Sequence, residues 1–110
     1  YNETCCITGI RVPECLIASH IVPWALDESK RTDPTNGLCL SATFDRLFDR
    51  GLVTITREMR VQVSRRLLSR TEGAIQKHIL DYHGQRILLP HRFLPAVEYL
   101  EWHRVNIFQG

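Results

Sequence analysis

Leu38-Cys39-Leu40-Ser41-Ala42-Thr43-Phe44-Asp45-Arg46-Leu47-Phe48-Asp49-Arg50-Gly51 passes from a strand pattern into a helix pattern. Leu38 to Leu40 read as a short strand, and the Ser41 hydroxyl is suited to accept from the first free amides of a helix. That helix is expected to run to about Arg50, with Gly51 as its C-terminal stop. At about 100° per residue, Phe44, Leu47 and Phe48 make an apolar stripe, Asp45 and Asp49 lie beside it, and Arg46 and Arg50 take the far side. Two like charges at i and i+4 destabilise a helix by roughly 0.2–0.5 kcal/mol, and Asp49 near the C-terminus opposes the helix dipole. Something positive is expected to compensate. It is either a divalent cation held by both carboxylates, since hard oxygen ligands suit Mg²⁺ or Mn²⁺, or an ordinary pairing of Asp49 with Arg46 or Arg50.

Upstream, Asp33-Pro34-Thr35-Asn36-Gly37 carries turn chemistry, and the polar residues 25–36 are expected to form a long loop. Before that loop, Thr8-Gly9 and Val12-Pro13 break the chain, and Cys15-Leu16-Ile17-Ala18 reads as a short buried strand leading into His20 and ended by Pro23. His20 then stands at a strand end, where the backbone is fixed and solvent still enters. A general base needs that combination, and a satisfied structural histidine fits it as well. Asn36 alone says little, because turns use Asn routinely. Downstream, 52–56 and 59–63 are β-rich and joined by a short turn, as a hairpin requires. Residues 72–80 and 94–108 look helical, the second through an imperfect stripe of Val97, Leu100, Val105, Ile107 and Phe108 with Pro95 near its start. His103 in that helix reads as a packing or capping residue, with a catalytic role as the alternative.

With 110 residues and 44% apolar composition, the chain is long enough for one hydrophobic core and too short for two. One soluble, cytoplasmic domain is expected, without membrane span or signal peptide. Because it opens without an initiator Met, it reads as a piece of a longer polypeptide. Fourteen Lys and Arg against twelve Asp and Glu do not announce a strongly basic nucleic-acid binder. Eleven of the fourteen lie from position 46 onward, however, and could meet a polyanion or form a solvated face. Cys5, Cys6, Cys15 and Cys39 form no C-x-x-C pair, which argues against a structural zinc site. Cys15 and Cys39 are expected to be buried as small apolar residues.

Taken together, Ala18-Ser19-His20-Ile21-Val22-Pro23-Trp24, Asp33-Pro34-Thr35-Asn36-Gly37-Leu38-Cys39-Leu40 and Phe44-Asp45-Arg46-Leu47-Phe48-Asp49-Arg50-Gly51 resemble the HNH nuclease family. The resemblance starts at Cys5-Cys6-Ile7-Thr8-Gly9 and covers about half the chain. The closing Leu100-Glu101-Trp102-His103-Arg104 through Phe108 also looks like the tail of restriction-type bacterial members. It implies an α+β fold with a ββα-metal (His-Me finger) core, to which the hairpin and C-terminal helices are added. It further implies DNA phosphodiester hydrolysis, with His20 as general base, Asn36 bracing the loop that holds it, and Asp45 and Asp49 as ligands of one divalent metal. Arg46 and Arg50 are candidates to hold flanking phosphates or are solvated charges.

The chain departs from the family pattern in three places. Asp45 replaces the final His, which should shift metal preference toward harder ions such as Mg²⁺. Ser19 stands where many members place an acidic or His ligand. Thr8 stands where zinc-stapled relatives carry a second Cys. The implied partner is DNA, with neither a small-molecule cofactor nor a membrane, and a homodimer that cuts both strands is left open. The alternative reading is an HNH-fold module that binds nucleic acid or docks a protein without catalysis.

Overall fold

In a computed structural model that describes residues 3–23, 25 and 27–110, the helix α1 spans Ala42–Asp49. Ser41 caps it by accepting from the Phe44 amide at 3.4 Å, an interaction worth about 1 kcal/mol. At the other end Gly51, at φ 76°, donates to the Phe48 carbonyl while Leu52 donates to that of Leu47. These paired bonds close the last turn and satisfy two carbonyls that the helix itself leaves free. Phe44 and Phe48 are buried, Asp45 is half-buried, and Arg46, Asp49 and Arg50 are exposed, as the three stripes require.

Two antiparallel pairs frame this helix. β1 (Leu16–His20) pairs with β2 (Gly37–Ser41), setting His20 opposite Gly37 and Leu16 opposite Ser41. β3 (Val53–Ile55) and β4 (Val61–Val63) form the expected hairpin. It is shorter than the 52–56 and 59–63 pattern because the turn takes up the flanking residues: the Met59 amide bonds the Thr56 carbonyl, and Met59 itself sits at φ 62°. α1 packs on β1, β2 and β3. The order strand, loop, strand, helix is thus realised, within a mixed α+β architecture of two small sheets. The remaining elements are α2 (Arg65–Leu68), α3 (Gly73–His78) running into a 3-10 turn at Leu80–Tyr82, and α4 (Val97–Asn106). One apolar cluster joins them, with Leu38, Leu40, Phe44, Phe48, Val53 and Leu100 at its centre. Burial of each phenylalanine contributes about 1.5–3 kcal/mol. Among the described residues no helix is long and apolar enough to cross a membrane.

Packing corrects several expectations. Cys15 is exposed and Cys39 only partly buried, whereas Cys5 and Cys6 are the buried thiols. The N-terminal turn is pinned between two strands of backbone: the Cys6 amide bonds the Cys39 carbonyl at 2.9 Å, and the Leu88 amide bonds the Cys6 carbonyl at 2.8 Å. β1 is not a buried strand. Ile17 and Ala18 are exposed and Ser19 is its one buried residue, the one whose hydroxyl meets Asp45 of α1. In α4 the covered face is narrower than predicted: Leu100 and His103 are buried and Ile107 partly so, while Val97 and Val105 are exposed. The polar loop holds two short 3-10 turns, Glu28–Arg31 and Pro34–Asn36, capped by the side chains of Asp27 and Asp33. Trp24, part of the stretch that carries the resemblance, lies outside the described residues.

Candidate active site

β1 carries His20 to its last position, and the exposed imidazole is anchored by the backbone that follows it. Ile21 and Val22 are buried. The Ile21 amide bonds the Asn36 carbonyl at 3.0 Å. The Asn36 side chain, wholly excluded from solvent, holds Val22 at both polar groups: Oδ1 accepts from the Val22 amide at 2.8 Å, and Nδ2 donates to the Val22 carbonyl at 2.9 Å. A further Nδ2 bond reaches the Lys30 carbonyl at 3.3 Å. Buried amides and carbonyls without partners cost free energy, so one side chain here satisfies three backbone groups and clamps the loop beside His20.

The loop is tied in turn to α4. Asp33 accepts from the Thr35 amide at 2.9 Å and from the Tyr99 hydroxyl at 2.5 Å, and the Ala96 amide bonds the Thr35 carbonyl at 3.0 Å. The Tyr99 hydroxyl, together with Thr35, holds the Asp33 carboxyl below its usual range. Lys30 lies 5.2 Å above the Tyr99 ring and pairs with Asp27 at 3.0 Å. The mounting of Asn36 therefore reaches across 66 residues of sequence.

From the other side, α1 presents Asp45 and Asp49 toward the same place. His20, Ser19, Asp45, Phe48, Asp49 and His103 line one cleft of about 460 Å³. The Ser19 hydroxyl donates to Asp45 Oδ1, linking β1 to α1 one residue away from His20. Asp49 is exposed at the edge of the cleft. Among the described residues no ion pair joins Asp49 to Arg46 or Arg50; the ion pairs lie at Asp27 with Lys30, Arg70 with Glu72, and Glu101 with Arg104. Arg46 and Arg50 are exposed and do not line the cleft. The sequence analysis placed them on the far side of α1, and the fold keeps them there.

His103 closes the floor. Its ring is 2% exposed and stacks on Phe48 with centroids 3.7 Å apart and planes 7° from parallel. Because the Phe48 carbonyl can only accept, Nε2 donates to it at 2.8 Å, and Nδ1 then accepts from the Thr54 hydroxyl at 2.7 Å. Burial pushes this imidazole down to about 4, against the upward pull of the Phe48 carbonyl and the Asp49 carboxylate. His103 is thus a neutral packing residue that fixes the last turn of α1, where Asp49 sits.

Asp45 and Asp49 supply hard oxygen donors from one helix, and His20 lines the same cleft; that donor chemistry fits a hard divalent ion. No group of three or more His, Cys, Asp or Glu side chains among the described residues is gathered closely enough to hold a metal.

Of the residues singled out in the sequence, His20, Asp45 and Asp49 line one cleft and Asn36 bonds the backbone beside it; the Ser19 bond to Asp45 was not foreseen. The sequence shows Ser19 only as the residue standing where many family members place a ligand. Residues 5–56 match the family model described as HNH endonuclease, and the comparison with curated proteins gives no match. The matched stretch holds the N-terminal turn, β1, the clamped loop, β2, α1 and β3, whereas α4 with His103 and Tyr99 lies beyond it. Residues 5–56, just under half of the chain, are thus similar to the HNH endonuclease family.

Proposed function

We propose that the chain is a metal-dependent endonuclease domain that hydrolyses DNA phosphodiesters, built on a ββα-metal core of β1, β2 and α1. The reading is supported above all by the convergence of His20, Asp45 and Asp49 on one cleft while Asn36 fixes the backbone after His20. With its imidazole unprotonated, His20 takes a proton from a water aligned opposite the 3′ oxygen of the scissile bond. The resulting hydroxide forms the new P–O bond, the 3′ oxygen leaves and takes a proton from solvent, and the products are a 5′-phosphate and a 3′-hydroxyl. A divalent cation on Asp45 and Asp49, Mg²⁺ or Mn²⁺ by donor hardness, would neutralise charge that grows on the phosphate in the transition state. Ser19 orients Asp45 by donating to one of its oxygens, leaving the other for the cation. Phe48 and His103 keep α1 in place beneath.

Arg46 and Arg50, on the far side of α1, contribute to phosphate attraction at a distance rather than inside the cleft. The test is conversion of supercoiled plasmid to nicked and linear forms in Mg²⁺ or Mn²⁺. Wild type should cut and His20→Ala should lose at least about a hundredfold in rate. Unchanged supercoils with wild type, or full activity in His20→Ala, would end the proposal.

A further inference from the structure

The cleft at His20 adjoins a second depression at the first sheet. Ala18 lines both that cleft and an adjoining trough of about 500 Å³. Pro90, Arg92 and Phe93 line both this trough and a third cleft of about 500 Å³. The third cleft brings Arg11, His91 and Arg92 together, with no acidic residue on its described walls; Glu3 is the one acid beside the trough between them.

Phe93 stands where trough and third cleft meet. It is 55% exposed, and its backbone sits at φ 57°, a left-handed conformation that bulky residues rarely adopt because it is strained. The Arg92 guanidinium lies 5.3 Å from the ring centroid. A ring held out to solvent on strained backbone, beside the Arg92 guanidinium and in a cleft that Arg11 also lines, has no role in the core of this fold.

We propose that Phe93, Arg92 and Arg11 form a second contact for the nucleic acid, taking a strand with unpaired bases as it leaves the His20 cleft. A base stacks on the Phe93 ring, and the two guanidiniums hold the flanking phosphates. Stacking on an aromatic face tolerates any base, and the planar fork of Arg matches phosphate oxygens. A closed duplex offers this platform phosphates but no free base face, so the platform favours single strands. The inference rests on the nucleic-acid reading of the His20 cleft.

The test is fluorescence anisotropy of the full chain with a labelled oligodeoxythymidylate and with a blunt hairpin duplex, in EDTA at low salt. Phe93→Ala should weaken binding of the single strand about tenfold and of the duplex less than twofold, while Phe93→Trp restores it. Arg11→Ala and Arg92→Ala should each lower the slope of log K against log salt by about 0.7. Phe93→Leu, apolar but without a π face, reads the same loss should the alanine variant unfold. Wild-type affinity of folded Phe93→Ala for the single strand, or equal loss for strand and duplex, overturns the platform. If wild type binds the strand through Phe93 yet never cuts DNA, the nuclease reading fails and the platform stands. If wild type cuts and Phe93→Ala binds unchanged, the platform alone fails.

Discussion

Asn36→Ala is the substitution whose consequences the geometry specifies most closely. It removes the acceptor of the Val22 amide and the donor to the carbonyls of Val22 and Lys30. Val22 is 4% exposed, so water cannot replace those partners without opening the loop. A buried polar group left unsatisfied costs about 1–3 kcal/mol. Two such groups on Val22 give roughly 2–6 kcal/mol, with the longer Lys30 bond adding less. Set against about 5–15 kcal/mol for a domain of this size, the variant should fold at low temperature with a lower urea midpoint. Its second effect is on position: once Val22 is released, His20 loses its mounting, and displacement by about 1 Å can cost on the order of a hundredfold in rate. Urea unfolding followed by far-UV circular dichroism reads the first effect, and single-turnover cleavage at saturating DNA reads the second. DNA affinity in EDTA should stay within about twofold, since Asn36 is buried and cannot touch substrate. Stability within about 1 kcal/mol of wild type, or a wild-type cleavage rate in the folded variant, would refute the clamp.

Further outcomes follow from the packing around α1 and the loop. The His103 imidazole is held down to about 4 by burial, below the ordinary histidine value near 6.5. The unfolded chain therefore binds the proton first, and the stability this residue contributes is complete above pH 6.5 and lost as pH falls from there through 4, by roughly 3 kcal/mol. Wild type should lose that much more than His103→Gln between pH 7.5 and 4 in urea midpoints converted to free energy; parallel pH curves would contradict the burial argument. At Gly51, with φ 76°, an added Cβ would lie 2.1 Å from the Ile107 carbonyl oxygen, so Gly51→Ala should cost more than about 2 kcal/mol. Gly84 has φ 83° with nothing nearby, and Gly84→Ala should cost only about 1 kcal/mol; equal thermal shifts would rule out the contact. Tyr99→Phe removes the hydroxyl bond to Asp33 and should lower stability by about 1 kcal/mol, with a several-fold drop in cleavage rate because Asp33 caps the turn that ends in Asn36.

α1 was legible because its determinants are local: a capping serine, two phenylalanines four residues apart and a glycine able to adopt positive φ. The hairpin was legible for the same reason. The turn residues around Asn36 showed that a loop existed, but its side-chain clamp on Val22 crosses 14 residues and has no periodicity to betray it. Burial of single cysteines was misjudged because it depends on partners far away in sequence. Cys6 is held through its backbone to residues 39 and 88, while Cys15 ends an exposed proline turn just before β1. Residues 84–88 carry no strand signal, yet they are ordered by bonds to β4 and its turn: Gln85 and Gly84 with Val61, and Ile87 with Met59. Ser19 read as a missing ligand from the motif alone. In three dimensions it is the residue that joins the strand of His20 to the helix of Asp45.

The most direct test of the account is Mn²⁺ binding by electron paramagnetic resonance, run beside plasmid cleavage on the same protein samples. Wild type should bind Mn²⁺ and cut, His20→Ala should bind Mn²⁺ and fail to cut, and folded Asp45→Ala and Asp49→Ala should lose both. Wild-type Mn²⁺ affinity in the double Asp45→Ala, Asp49→Ala variant would contradict it.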